Sequence, residues 1–161
     1  CGARPEAITR AIRDYSPPRH LMEDAGTVNG VRFVNDSKAT NPAAAMADWA
    51  SIRGAVVLIA GGRSKEADLR QFAASAASRA KHIVLIGESA QSLSEAVGCQ
   101  TPVTVAISMS QAVQAAFDAA EPGDTVLMAP GCASHDMFEN MAARGEAFCR
   151  EVTELARRFS F

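Results

Sequence analysis

No apolar run in this sequence reaches the ~18 residues that a membrane span requires, and no secretory signal opens it. Its four cysteines (Cys1, Cys99, Cys132, Cys149) form no C-x-x-C pair, and its three histidines (His20, His82, His135) are scattered. No metal site is therefore expected, and reduced thiols in a cytoplasmic protein fit better. No charge of one sign dominates: 16 Lys and Arg against 18 Asp and Glu leave a net −2. That balance argues against nucleic acid or an anionic membrane as the main partner. Neither G-x-G-x-x-G nor G-x-x-x-x-G-K-[ST] occurs, which argues against a dinucleotide-dependent oxidoreductase and excludes a phosphate-cradling loop within the chain. Repeats, linkers and low-complexity segments are missing too. Cys1 rather than Met comes first, which suggests a piece of something longer.

What is present is a chain of 161 residues, 48% hydrophobic and 21% charged, the composition of one globular domain. Residues 4–14 predict a short helix that Pro17 and Pro18 keep from continuing. Asn29-Gly30 between apolar stretches predicts a hairpin over 21–35, because both residues tolerate positive φ. Continuous apolar runs at 55–60, 82–87 and 125–130, with a weaker one at 103–107, predict strands covered on both faces. Ala-rich helical stretches at 42–51, 66–80, 89–97 and 109–121 separate them. The stretch 136–158 places Met137, Met141, Phe148, Val152 and Leu155 on one helical face, as packing onto a sheet requires. Strand–helix alternation of this kind predicts an α/β fold: a doubly wound, mostly parallel sheet with an N-terminal β-hairpin.

In such sheets ligands bind beyond the carboxyl ends of the strands, so the segments just after the strands hold the candidates. Asn35-Asp36-Ser37-Lys38-Ala39-Thr40-Asn41-Pro42 follows the hairpin. Asn41 and Pro42 suit the start of a helix, but that leaves Asp36, Lys38 and Thr40 as an acid, a base and a hydroxyl at the rim. Gly61-Gly62-Arg63-Ser64-Lys65 permits a tight turn and adds a cation. Ala129-Pro130-Gly131-Cys132-Ala133-Ser134-His135-Asp136 puts Ser134 where it would cap the last helix, whose free N–H groups could hold a carboxylate. The spacing of Cys132 and His135 is not diagnostic of a nucleophile and its base, and a buried cysteine after a core strand is commonplace. Two cations and two hydroxyls on these rims point to a small anionic ligand with more than one carboxylate.

The strings NGVRFVNDSKATNPAA, VVLIAGGRSKEAD, HIVLIGES and APGCASHDMFENMAARGEAF resemble, in order and spacing, the C-terminal domain of the Mur ligase family, in its glutamate-adding branch. The resemblance runs from about residue 17 to 156, and N-D-S-K-A-T-N together with C-A-S-x-D-x-F is specific. It implies that residues 1–16 are a linker or helix remnant of a preceding domain. Residues 17–161 would then be a Rossmann-like, glutamate-binding domain. It further implies an ATP-dependent ligase of bacterial peptidoglycan synthesis, a cytoplasmic monomer with UDP-N-acetylmuramoyl-L-alanine as acceptor. ATP and Mg2+ would be bound mainly by another domain, over which this one closes as a lid. By matching positions, Thr40 and Lys65 would hold the glutamate side-chain carboxylate. Ser134, with a backbone N–H near Met141, would hold the α-carboxylate, and Asp36 and Lys38 would serve the nucleotide side. Three positions depart from the family pattern: Leu21 replaces an arginine for which Arg19 is the candidate substitute, Met141 replaces Phe, and His135 replaces Leu or Phe. A relative that adds L-glutamate, or a binding module without catalysis, shares the same pattern. The 161-residue chain by itself should neither hydrolyse ATP nor form a peptide bond, because phosphoryl transfer needs a phosphate cradle that it lacks. ATP turnover by the purified chain above a protein-free control would contradict this.

Overall fold

The computed structural model describes residues 2–64 and 69–159. Helix α1 (Pro5–Asp14) stands first and buries none of its residues; Ile8, Ile12 and Tyr15 are exposed on or just after it. The hairpin follows as β1 (Glu23–Val28) and β2 (Val31–Asn35). Asn29 (φ 47°) and Gly30 (φ 81°) both take positive φ, the two-residue turn whose twist matches that of its strands. From there strands and helices alternate: α2 (Pro42–Trp49), β3 (Val56–Gly61), α3 (Arg70–Ala77), β4 (His82–Ile86), α4 (Ala90–Val97), β5 (Val103–Val105), α5 (Met109–Ala119), β6 (Thr125–Met128) and α6 (Met141–Phe159).

The six strands form one sheet in the order β1-β2-β6-β3-β4-β5. Only β1 runs against its neighbour; the other four pairings are parallel. The fold is the mostly parallel, doubly wound sheet with an N-terminal hairpin that the alternation predicts. Each central strand sends successive side chains to opposite faces. Leu58, Ala60, Leu85 and Leu127 pack with α2, α3 and α4. Val57, Ile59, Val84 and Met128 pack with α5 and α6. Burial on both faces is why these strands read as unbroken apolar runs.

Strand β6 comes last in sequence yet lies between β2 and β3. The chain leaves β2 and β3 toward one face and leaves β6 toward the other. This is a switch point, the place beyond the carboxyl ends of the strands where such sheets bind ligands. The last helix begins later than its periodicity suggests. Residues 134–138 form a turn, with the amides of Met137 and Phe138 both donating to Ser134 O (3.1 and 2.8 Å). The helix starts at Met141, capped by Asn140, whose Oδ1 accepts from Ala143 N at 2.9 Å. Ser134 is therefore not the cap. Among the described residues no helix is long and apolar enough to cross a membrane.

Candidate functional site

The segments that follow β2, β3, β4 and β6 meet along one rim and are joined mostly by backbone hydrogen bonds. Gly61 N donates to Pro130 O (2.9 Å), and Arg63 and Ala133 exchange a reciprocal pair, both 2.9 Å. Gly131 N donates to Ala39 O (3.0 Å), and Ser89 N to Gly62 O (2.9 Å). Asp136 reaches across with its carboxylate to accept from Glu88 N at 2.8 Å. The two glycines after β3 permit this closeness. A Cβ on Gly61 (φ 111°) would lie 2.2 Å from Ile86 O, and one on Gly62 (φ 131°) 2.3 Å from Ala133 O. Their conformational freedom serves the approach of one loop to the next.

Beneath the rim lies a residue that the sequence reading missed. Arg144, on the second turn of α6, is 1% exposed. Its Nε donates to Ser37 Oγ, its Nη2 to Ser37 O and its Nη1 to Cys132 O, each at 2.9 Å. Ser37 Oγ in turn donates to Met141 O at 2.7 Å. One guanidinium thus ties the loop after β2, the loop after β6 and the start of α6 together. Burial lowers its pKa to about 10, so it stays charged at neutral pH. One sign of this role was present in the sequence: position 144 falls three residues after Met141 and four before Phe148, on the apolar face. An arginine on that face must be either misplaced or buried with partners.

A second cluster anchors the segment leading into β1. The Asn35 amide nitrogen lies 2.9 Å from both His20 Nδ1 and Glu23 Oε2, and it also reaches Gly145 O (3.4 Å) and Cys149 Sγ (3.3 Å). His20 N donates to Glu23 Oε2 at 3.0 Å, and Lys38 N to His20 O at 2.9 Å. Gly145 has to lack a side chain, because a Cβ there would sit 2.3 Å from His20 Nδ1. Leu21 is half-buried. Arg19 is exposed, and its guanidinium lies 3.8 Å from Glu23 and 3.7 Å from Glu146.

The expected binding residues fall as follows. Thr40, half-buried, and Ser134, 2% exposed, lie on loops that meet through the Gly131–Ala39 hydrogen bond, and half-buried Met141 opens α6 beside them. Lys38 is exposed on the same loop as Thr40. Lys65 lies outside the described residues. Asp36 is fully enclosed: its Oδ1 accepts from Met22 N at 3.2 Å, and its buried Oδ2 has no hydrogen-bond partner. Burial, opposed by the Met22 hydrogen bond and reinforced by the nearby Asp48 carboxylate, raises its pKa to about 7. Cys132 and His135 do not form a nucleophile and base. Cys132 Sγ sits 3.6 Å from Ser89 Oγ, whereas the exposed His135 turns its Nδ1 to Glu139 O at 3.0 Å. Among the described residues no group of three or more His, Cys, Asp or Glu is placed to hold a metal ion.

Residues 20–132 match the family described as Mur ligase, glutamate ligase domain. The UDP-N-acetylmuramoylalanine--D-glutamate ligase of Thermobifida fusca is 42% identical over 163 residues, covering 96% of this chain and 35% of that protein. The protein of the same name from Chlorobium phaeobacteroides is 41% identical over 150 residues, covering 93% and 32%. The chain thus spans about a third of the length of the curated relatives it matches. Among solved structures, the UDP-N-acetylmuramate-alanine ligase MurC of Thermotoga maritima superposes with a TM-score of 0.66 at 10% identity, covering 95% of this chain and 34% of that one. E. coli FolC in complex with ADP gives 0.65 at 23% identity, covering 99% and 37%. At these identities the likeness concerns the fold alone.

The enclosed carboxyl of Asp36 generates a pH test. Its pKa is higher in the folded chain than the 3.8 of an exposed aspartate, so folding favours its protonated form. The stability this contributes is present below about pH 4 and is lost as pH rises toward about 7. Asp36→Asn keeps an acceptor for Met22 N and removes the charge. Its melting temperature minus that of wild type should therefore become more positive between about pH 4 and pH 7. A pH-independent difference would show that Asp36 ionises as freely in the folded chain as in the unfolded one.

Proposed function

The chain belongs to the Mur ligase family, as a glutamate ligase domain, and from that premise we propose that it is the amino-acid-binding domain of an ATP-dependent ligase that joins D-glutamate to UDP-N-acetylmuramoyl-L-alanine in peptidoglycan synthesis. The observation that carries this reading is 42% and 41% identity, over nearly the whole chain, with ligases named for D-glutamate. Residues 17–161 are then the binding domain, and α1 with the residues before it belongs to the junction with a preceding domain. ATP with Mg2+, bound mainly on the rest of the longer protein, supplies the phosphoryl group that activates the acceptor carboxylate. The site of this reaction is cytoplasmic.

The part taken by this chain is to bind and orient the amino acid. Glutamate must be held at both ends so that its amine meets the acyl phosphate in attack geometry. At one end the Thr40 hydroxyl and the Lys65 ammonium take the side-chain carboxylate. At the other, Ser134 and a backbone N–H at Met141, the first residue of α6, take the α-carboxylate; N–H groups at a helix start lack intrahelical partners and favour anions. The amine nitrogen then bonds to the acyl carbon, the tetrahedral intermediate expels phosphate, and the nitrogen sheds a proton. Lys38 faces the nucleotide side directly, and Asp36 acts there from within by fixing Met22 and the segment before it.

The test uses the full-length ligase that carries this domain, with ATP, the UDP-linked acceptor and each glutamate isomer. ADP release should depend on D-glutamate and on acceptor. Release with L-glutamate alone, or none with either isomer, overturns the reading. Lys65→Ala in the same assay should lower kcat/KM for D-glutamate by the equivalent of roughly 2–4 kcal/mol through KM, while the acceptor KM moves little. A change in glutamate kinetics within about twofold is what a solvated loop lysine would give, and that result would remove Lys65 from the site.

A further inference from the structure

We propose that Arg144 sets the distance between the two carboxylate-holding ends of the amino-acid site, and with it the length of dicarboxylic amino acid that the site accepts. This rests on the glutamate reading above, which assigns Thr40 to one end and Ser134 with Met141 to the other. Arg144 touches neither end and acts as a positioning residue.

The loops that carry Thr40 and Ser134 are both fixed to this one side chain. Ser37, three residues before Thr40, accepts two of its hydrogen bonds, through Oγ and through its carbonyl. Cys132, two residues before Ser134, accepts the third on its carbonyl. Met141 is bound one step further out, through Ser37 Oγ. Gly62 packs against the same group: a Cβ there would meet Arg144 Nη1 at 3.3 Å. The separation of the two loops is therefore held by a planar, rigid fork.

The chemistry of the partners argues for geometry rather than charge neutralisation. Among the described residues no carboxylate ion-pairs with Arg144; its partners are two carbonyls and a hydroxyl. The Asp136 carboxylate is near enough to favour its charge but is not one of these partners, and a buried guanidinium is expensive to keep. A neutral residue could fill the same space, but no other side chain offers donors that diverge at fixed angles to two separate loops. Lysine would keep the charge and lose the fork.

The readout is selectivity, which a general loss of stability does not move. The full-length ligase is assayed with D-glutamate and with its analogues one methylene shorter and longer, D-aspartate and D-2-aminoadipate. One methylene of mismatch is worth roughly 10–200-fold in a fitted site. Arg144→Lys should reduce the glutamate preference over at least one analogue by about tenfold, through KM for the amino acid, with the acceptor KM little changed. Ser37→Ala, which cuts only the Oγ link from Nε to Met141 O, should shift the preference in the same direction by a smaller factor. It carries the test should the arginine variant not fold. Equal losses for all three amino acids, leaving the preference unchanged in the variants that fold, would overturn the proposal and leave the ligase reading intact. Failure of the wild-type enzyme to use either glutamate isomer would remove both.

Discussion

A guanidinium closed off from water must find oxygen atoms for its N–H groups, and in this domain that requirement fixes the rim. Each N–H left without a partner would cost on the order of 1–3 kcal/mol, more where the donor is charged. The three oxygens that meet Arg144 come from two loops following different strands, Ser37 after β2 and Cys132 after β6. Neither loop can shift without breaking a charge-assisted bond to a buried donor. The backbone bonds from Gly131 to Ala39 and between Arg63 and Ala133 then bring the remaining rim into register. The side chain lies on α6, so the same contact also fixes where the last helix docks.

The cluster around Asn35 extends that order to the segment before the hairpin. Residues 18–22 belong to no regular element, yet His20 is 4% exposed and its backbone and ring are both bound. Asp36 holds Met22 in the same way. Two polar groups paired with the segment come from the end of β2, and the packing surface comes from Gly145 on α6. The residue beside Arg144 is thus the one that lets His20 in. Two adjacent positions on a single helix turn serve the two halves of the site's support.

Much of this was legible from residue patterns because the sheet is covered on both faces. Runs such as Val56–Ala60 and Thr125–Met128 announce buried strands, and Asn29-Gly30 announces its turn. The rim followed from the rule that ligands sit beyond the carboxyl ends. Two kinds of feature did not show. The start of α6 is displaced because periodicity in residues 136–140 is compatible with a helix, whereas the amides there fold back onto Ser134 O instead. Arg144 escaped notice because partners 12 and 107 residues distant determine its role, and local spacing carries no record of them. Asp36 reads from the sequence as an acid at the rim, whereas it is enclosed, an orientation that depends on the tertiary position of Met22.

The place of β6 in the sheet has a consequence for how the domain comes into being. Residues 125–128 pair with both β2 and β3, strands finished more than 60 residues earlier in the chain. Until that late segment arrives, β2 has no parallel partner on its inner side and the hairpin has nothing to join. Contacts so distant in sequence close slowly, since loop entropy must be overcome before pairing rewards it. Arg144 comes later still. With β3, β4 and β5 paired, the sheet keeps an open seam beside β3 until β6 fills it, and the rim is complete only once α6 brings Arg144. Termination after β3 but before residue 125 would leave the edges of β2 and β3 exposed and prone to pairing with other chains.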